Sequence, residues 1–267
     1  MKDTIIDQAD LPGMLGIAEA AARQAGDYLL KKLGSAKIAY QKSPLDDLLD
    51  ADLEAERLIL TRLHEESPEM GVLSEESGRK GTSRQYWLVD PLDGSANFQH
   101  GSPLFAISIA LVTTQATLGS IIYLPTRDEM FTALQGQGAF LNGTRISVSS
   151  IETLNDAIAH VGDFAKDNNV KNTHERLEDI SKLATHARRI RMIGTAATDL
   201  AYVACGRADL LVNHATHPWD IEAGKLLVLE AGGKASTWQP HKDATLSIYS
   251  NGVIHQSAKN LLMPLES

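Results

Sequence analysis

The segment Trp87–Ser95 combines an apolar strand pattern with residue types that can bind a metal ion and a phosphate. Two carboxylates, Asp90 and Asp93, come three positions apart at the end of the apolar run. Mg²⁺ prefers oxygen ligands and keeps several waters, so a few carboxylates and one backbone carbonyl suffice to hold it. Gly94 permits close backbone approach, and the amides of Gly94 and Ser95 can bind an anion if they open a helix. The alternative is a turn in which Asp and Gly only terminate the strand.

Further acidic residues along the chain have both a chemical and a structural interpretation. Glu75 and Glu76 follow the run GVLS, and paired glutamates in a loop are usually only solvated. Asp220 comes just before a strongly apolar segment, and aspartate is a favoured helix N-cap. A cluster of four acids is equally typical of the first turn of a helix: Asp46, Asp47, Asp50 and Asp52. None of these structural explanations requires the others, so their joint presence favours a shared site.

The overall composition is acidic. The chain has 267 residues, with 25 Lys and Arg against 34 Asp and Glu, and a formal net charge of −9. This charge argues against general binding to nucleic acid or to an anionic membrane, but a small anionic substrate is compatible because bound metal ions reverse the local sign. The single cysteine, Cys205, excludes an internal disulfide framework and a zinc site of several thiolates. With no apolar run of membrane-spanning length and no leader pattern at the start, we expect a soluble cytoplasmic protein.

Two helices and a series of strands are predicted in the first half of the chain. Apolar spacing predicts one helix from residue 11 to about Gly34 and a second over much of Asp50–Glu66. After Pro68 the pattern changes to short runs rich in β-branched and aromatic residues, which predict strands. These runs are GVLS, YWLVD, LFAISIALV, LGSIIYL and EMFTAL. The pair Asn142-Gly143 is typical of a hairpin turn.

Beyond about Ser150 strand and helix patterns alternate. The strand patterns are IAHVG, RIRMIG and ADLLVN, and the helix patterns are THERLEDISKLATHA, TAATDLAYVACG and WDIEAGKLLVLEAGG. Such alternation is typical of α/β structure. We therefore expect an α/β protein in which an α+β half, residues 1–150, packs against an α/β half, residues 151–267, as one compact unit.

Taken together, these segments resemble the inositol monophosphatase family of Mg²⁺-dependent, lithium-sensitive phosphatases. The resemblance is carried by WLVDPLDGSANFQHGSPLFAISIAL, GVLSEES and HPWDIEAGKLLVLEAGG, and it includes GQGAFLNG and RMIGTAATDLAYVACGRAD. It implies a layered α/β/α/β/α sandwich of the inositol monophosphatase and fructose-1,6-bisphosphatase type, with metal motifs in the first half and the alcohol pocket and last ligand in the second. It also implies a homodimer and hydrolysis of small phosphate monoesters by water activated by about two to three Mg²⁺ ions.

Carried over position by position, the resemblance implies a set of metal ligands. Glu75 should bridge or support two metals, and Asp90 should bridge metals. The backbone carbonyl of Leu92 should complete one site. Asp93 and Asp220 should hold the second metal.

The resemblance also implies roles around the attacking water and the substrate. Asp52 should work with the Ser95 hydroxyl and Glu75 to orient or deprotonate the water. Where the family usually has a Thr-containing run, this chain has Leu49 and Asp50, so Asp50 is the alternative acid, although the register favours Asp52. The residues expected to bind substrate are Asp93, Gly94, Ser95, Gly194, Thr195, Ala196, Asn213 and Asp220.

Position 213 bears on the identity of the substrate. Family members that act on inositol phosphates commonly carry an acid seven positions before the last motif aspartate, and this chain has Asn213 there. Inositol monophosphate is the expected substrate, and histidinol phosphate, fructose 1,6-bisphosphate and 3′-phosphoadenosine 5′-phosphate are the alternatives. Some family members act instead as interaction partners of RNA-synthesis machinery. The full set of acids favours an enzyme, and the acidic charge disfavours direct RNA binding.

Overall fold

The computed structural model describes residues 8–43, 46–164, 170–214, 217–241 and 244–263. The helices within these ranges are α1 (Leu11–Lys32), α2 (Asp50–Glu66), α3 (Ser95–Gln99), α4 (Val170–His186), α5 (Ala196–Ala204), α6 (Pro218–Glu230) and α7 (His255–Leu262).

The strands form three sheets. A two-stranded sheet pairs β1 (Ile38–Ser43) with β2 (Asp46–Leu49). The strands of an eight-stranded sheet are β3 (Gly71–Ser74), β4 (Gly78–Lys80), β5 (Gln85–Asp93), β6 (Ala106–Thr113), β7 (Thr117–Leu124), β8 (Glu129–Leu134), β9 (Gly138–Leu141) and β10 (Thr144–Ile146). A five-stranded sheet contains β11 (Ile158–Val161), β12 (Arg189–Arg191), β13 (Leu210–Asn213), β14 (Lys234–His241) and β15 (Ala244–Ser250).

The order of strands brings β5 to a central place in the large sheet. The order is β10-β9-β8-β7-β6-β5-β3-β4, and every pair is antiparallel except β3 with β5. Because β3 and β5 run in the same direction, their carboxyl ends lie side by side. The amide of Glu75 at the end of β3 donates to the carbonyl of Val89 at 3.1 Å. The smaller sheet, in the order β12-β11-β13-β15-β14, mixes parallel and antiparallel pairs.

The sheets and helices stack in five layers. Helices α1 and α2 cover one face of the large sheet, where Leu29, Ile59 and Trp87 share one buried cluster. The opposite face packs against α5 and α6, which also contact the small sheet through a second cluster that contains Leu200 and Tyr249. The outer face of the small sheet packs against α4 and α7. This arrangement confirms the predicted α/β fold and the layered α/β/α/β/α sandwich.

The segment before α2 departs from the sequence prediction. Asp46 and Asp47 are not in the first turn of a helix but in β2, where they pair with Ser43 and Gln41. The helix begins at Asp50, whose amide donates to the carbonyl of Lys37 at 2.9 Å. Pairing with β1 thus satisfies backbone groups that a longer helix would have used.

Among the helices of the described ranges, none is long and apolar enough to cross a membrane.

Candidate active site

The carboxyl end of β5 gathers four acidic side chains. Pairing of β5 with β6 is interrupted between Asp90 and Asp93, so the strand bulges there. The Asp90 carboxylate is buried and accepts the amide hydrogen of Leu92 at 3.0 Å. Burial raises the pKa of Asp90 well above its ordinary value, and the negative charges of Glu75, Asp93 and Asp220 raise it further. Four predicted ligands therefore lie close enough for their charges to interact.

Asp93 links the end of β5 to the first turn of α5. Its Oδ2 accepts hydrogen bonds from the Thr195 hydroxyl and from the amide of Ala197, both at 2.6 Å. Thr195 is also the N-cap of α5, where its side chain accepts the amide hydrogen of Thr198. Burial raises the pKa of Asp93 to about 6, and the hydrogen bond from Thr195 opposes this rise. The orientation of the Asp93 carboxylate is therefore fixed by α5.

The structure separates the two candidate acids of α2. The Asp52 Oδ1 accepts from the Ser95 hydroxyl at 3.0 Å, and its Oδ2 accepts the amide hydrogen of Leu49 at 2.7 Å. Burial raises the pKa of Asp52 to about 7. Asp50 instead accepts the amide hydrogen of Lys37 at 2.8 Å. The geometry therefore brings Asp52, and not Asp50, against Ser95.

Ser95 and Gly94 connect this acid to the metal motif. The Ser95 hydroxyl lies 3.0 Å from the carbonyl oxygen of Leu92 as well as 3.0 Å from Asp52, and its single proton is shared between them. Gly94 has φ +98°, a left-handed conformation that favours glycine. A Cβ on Gly94 would lie 3.0 Å from the Leu104 carbonyl oxygen and 3.3 Å from the Thr195 Cβ. The close approach brings the predicted phosphate-binding turn against α5.

Gly194 lies beside this turn as well. Its carbonyl oxygen would be 3.4 Å from a Cβ on Gly94, and its own φ is +77°. The amide of Asn97 holds the loop before α5 by donating to the carbonyls of Ile193 at 2.7 Å and Leu104 at 2.9 Å. The structure therefore brings Gly194, Thr195 and the start of α5 next to Gly94. Their predicted contact with the alcohol stays a prediction.

Asp220, a predicted metal ligand, and Asn213, a predicted substrate-binding residue, lie on different elements. Asp220 is in the first turn of α6, whose N-terminal residue is Pro218. The carbonyl of Trp219 accepts from the hydroxyl of Ser108 on β6 at 3.3 Å, which ties this turn to the large sheet. Asn213 is buried at the end of β13, and its Oδ1 lies 2.5 Å from where a Cβ on Gly162 would be.

Lys42 is a charged residue of this region that the motifs did not indicate. Its Nζ donates to Glu75 at 3.0 Å and to Glu76 at 2.7 Å. Burial lowers the pKa of Lys42, but the charge of Glu75 and the hydrogen bonds that Lys42 donates to both glutamates outweigh this effect, so the pKa is raised. Lys42 is on β1, 33 positions before Glu75 in the sequence, and no local pattern connects the two residues.

The residues present suit a hard divalent cation in their chemistry. Within the ranges that the structure describes, no three His, Cys, Asp or Glu side chains are already arranged to hold a metal ion. The donors around β5 are nevertheless all oxygens, the set that Mg²⁺ prefers. Burial first, and then the charges of three neighbouring carboxylates, raise the pKa of Asp90. A bound cation would remove this electrostatic cost. The assignment of individual ligands stays a prediction.

Comparison with known proteins agrees with this fold. The family model described as "Inositol monophosphatase family" matches residues 10–265. The chain is 40% identical over 221 residues to "Nus factor SuhB" of Xylella fastidiosa, covering 82% of this chain and 80% of that protein. It is 37% identical over 240 residues to "Inositol monophosphatase" of Dictyostelium discoideum, covering 87% and 86%. The crystal structure of the extragenic suppressor protein suhB of Bartonella henselae superposes with a TM-score of 0.87 at 34% identity, covering 95% of this chain and all of that one.

The chain therefore belongs to the inositol monophosphatase family. This membership supports a phosphatase, and the predicted family resemblance is confirmed.

Proposed function

We propose that this protein is a Mg²⁺-dependent hydrolase of small phosphate monoesters, with inositol monophosphate as its preferred substrate. The observation that carries the proposal is the Asp52–Ser95–Leu92 hydrogen-bond arrangement beside the buried carboxylates of Asp90 and Asp93. The pKa of Asp52, which burial raises to about 7, supports its proposed role as a proton acceptor beside the carboxylates at the end of β5.

The chemistry divides between the cation and the residues of the chain. When bound, Mg²⁺ would neutralise phosphoryl oxygens and acidify the attacking water. Glu75, Asp90, Asp93, Asp220 and the carbonyl of Leu92 are the proposed ligands. Phosphoryl transfer depends mostly on positioning and electrostatics, so no covalent nucleophile is needed. Cys205, half-buried at the end of α5 with its pKa raised by burial, is not required.

Asp52 and Ser95 would act on the water. Burial holds the pKa of Asp52 near neutrality, where a carboxylate can both accept and release a proton at working pH. The Ser95 hydroxyl lies between Asp52 and the Leu92 carbonyl. It would orient the water and relay the water's proton to Asp52. The amides of Gly94 and Ser95 would receive the phosphate, while Gly194, Thr195, Ala196 and Asn213 would surround the alcohol.

A second candidate function is participation in RNA-synthesis machinery. The observation that favours it is the 40% identity to the protein named "Nus factor SuhB". A non-catalytic partner would not need a hydroxyl shared between Asp52 and the Leu92 carbonyl, so we place the phosphatase first. Homodimer formation and a cytoplasmic location stay predictions.

The decisive experiment is a panel of phosphate monoesters assayed after EDTA treatment and again after Mg²⁺ is restored. We expect no turnover without metal, recovery with Mg²⁺, and the highest kcat/KM for inositol 1-phosphate. Full turnover by metal-free protein would refute the metal mechanism. No hydrolysis of any ester with Mg²⁺ would favour the non-catalytic role.

The same panel with Asn213→Glu tests the substrate assignment. A carboxylate accepts a stronger hydrogen bond from a ring hydroxyl than an amide does, so kcat/KM for inositol 1-phosphate should rise by about tenfold. The rate with p-nitrophenyl phosphate, which has no ring hydroxyls, should change little. A wild-type preference for a bisphosphate or for histidinol phosphate would keep the reaction and replace the substrate.

A further inference from the structure

A buried histidine–aspartate pair lies one helical turn beyond the residues that bind Asp93. The His160 Nδ1 on β11 is 2.5 Å from the Asp199 Oδ1 on α5, and the two side chains are 4% and 1% exposed. Two ionisable groups removed from water are costly unless each satisfies the other. Neither residue belongs to the acidic segments that indicate the site.

The Asp199 carboxylate and the donors to Asp93 belong to the same helical turn. The amide of Asp199 donates to the carbonyl of Thr195 at 3.1 Å. The Thr195 hydroxyl and the Ala197 amide each donate to Asp93 at 2.6 Å. A rotation of this turn would therefore move the Asp93 donors and the Asp199 carboxylate together.

His160 is held by a different part of the fold. Strand β11 pairs with β12 on one side and with β13 on the other, and the pairing places His160 opposite Arg191 and Leu211. The Tyr202 ring of α5 also meets the His160 ring edge-on, with centroids 6.2 Å apart. The pair thus joins α5 to an inner strand of the five-stranded sheet.

Most of the other buried side chains of α5 are apolar, and their packing constrains the rotation of the helix less sharply than a hydrogen bond does. Leu200, Ala201 and Val203 pack in the cluster between the sheets, and apolar burial is non-directional. A hydrogen bond has a preferred direction and length, so the His160–Asp199 contact supplies what apolar packing lacks. Burial raises the pKa of Asp199 to about 7, although the hydrogen bond and charge of His160 lower it.

We propose that His160 and Asp199 are positioning residues that hold the first turn of α5 where Thr195 and Ala197 bind Asp93, and thereby set the affinity of the site for Mg²⁺. The inference rests on the proposed role of Asp93 as a metal ligand. Hydrogen-bond partners behind a metal ligand commonly change metal affinity by about 10–100-fold.

The test compares Asp199→Ala with Asp199→Asn in EDTA-treated protein. Calorimetric titration with Mg²⁺ should show a Kd about tenfold higher for the alanine variant. The asparagine variant should bind Mg²⁺ almost as wild type does, because its amide oxygen still accepts the hydrogen bond from His160 Nδ1. A merely structural role would not produce this rescue of metal affinity.

His255→Ala is the matched control. His255 is another buried histidine of the small-sheet half, and its ring bonds Ser236 and Ser250, each at 2.8 Å. Its loss should lower the Tm while the Kd for Mg²⁺ stays at the wild-type value. A Kd that rises in this control as much as in Asp199→Ala would attribute the effect to general destabilisation and overturn the proposal.

A second measurement needs no metal. Amide hydrogen exchange in metal-free protein reports directly on the Ala197 amide bound to Asp93, and it should speed up in Asp199→Ala relative to the Leu200 amide. If a folded Asp199→Ala variant keeps both this protection and its Mg²⁺ affinity, the proposal is wrong. If Ala197 loses protection while wild-type protein binds no Mg²⁺, the positioning role is supported and the proposed function fails.

Discussion

Asp50 and Asp52 lie two positions apart but have different surroundings. Asp50 accepts one backbone hydrogen bond, from the amide of Lys37 just before β1. Asp52 is 2% exposed and holds the Ser95 hydroxyl and the Leu49 amide with its two oxygens. The same residue type thus makes a structural contact in one place and, in the proposed reaction, accepts a proton in the other.

This difference in surroundings predicts that two matched substitutions change kcat to very different extents. Asp52→Asn should lower kcat by at least about 100-fold, because an amide cannot accept the proton of the water. Asp50→Asn keeps an oxygen for the Lys37 amide, so its kcat should stay within about threefold of wild type. Steady-state assays at saturating Mg²⁺, with circular dichroism to confirm folding, make the comparison. An unchanged kcat for Asp52→Asn would remove Asp52 from the reaction.

The acids around β5 could be selected from the sequence because each lies in a short local pattern. In each pattern the carboxylates lie at the end of a predicted element. The patterns are an apolar strand run leading into DPLDGS, the run GVLS followed by two glutamates, and PWD at the start of an apolar helix. Lys42, His160 and Asp199 could not be selected in this way. Their contacts cross 33 and 39 positions and depend on strand pairing and helix docking that no local pattern specifies.

The turn between β5 and α3 determines how closely the two halves of the site approach. Gly94 combines a positive φ with a Cβ position only 3.0 Å from a backbone oxygen, that of Leu104. An alanine there would carry both a conformational cost and a steric one. Gly232, after α6, has φ +89° with nothing within 4 Å of its Cβ position. An alanine at position 232 would therefore carry the conformational cost without the steric one.

Gly94→Ala should therefore be more damaging than Gly232→Ala. The left-handed conformation alone costs about 1–2 kcal/mol in either variant, and the contact with Leu104 adds to this at Gly94 only. We expect a larger fall in Tm and a loss of most activity for Gly94→Ala, and near-normal activity for Gly232→Ala. Thermal scans and assays on both proteins check this, and equal effects would contradict the steric argument.

Elements with clean periodicity were predictable, and those formed by irregular pairing were not. The bounds of α2 and of the strand EMFTAL agree with the sequence prediction because their apolar spacing matches one geometry. Strands β1 and β2 were missed. Their sequences, IAYQKS and DDLL, mix charged and apolar residues, and their register shifts at two points. Here the partner strand, not the local sequence, determines the structure.

At the scale of the whole molecule, the buried acids couple stability to pH. The pKa of Asp93 is raised to about 6, and those of Asp52 and Asp199 to about 7, from an ordinary value of 3.8. Between these values the folded chain binds more protons than the unfolded chain, so its stability falls as pH rises through this window. Hydrogen bonds from Arg57 and Arg23 lower the pKa values of the surface acids Glu54 and Asp128, which is the opposite direction.

Metal-free protein should therefore have a higher Tm at about pH 5 than at about pH 8, and Mg²⁺ should offset most of the loss at the higher pH. Calorimetric scans in EDTA and in excess Mg²⁺ measure both effects. Asp93→Asn, which lacks one of the titrating groups, should show a shallower dependence without metal. A metal-free Tm that rises from pH 5 to pH 8 would contradict the assignment of these buried acids.

The stacking of α6 between the two sheets has a consequence for synthesis on the ribosome. Ser120 on β7 bonds the carbonyl of Ala223 at 2.6 Å, and the amides of Gly136 and Gly138 bond Glu230, so α6 closes one face of the large sheet. That sheet is complete at residue 146, but α6 begins only 72 residues later. At about 5–20 residues per second, the part of the sheet face that α6 covers stays bare for about 4–14 s. During that interval the emerging chain presents a surface for chaperone binding and for aggregation with neighbouring nascent chains.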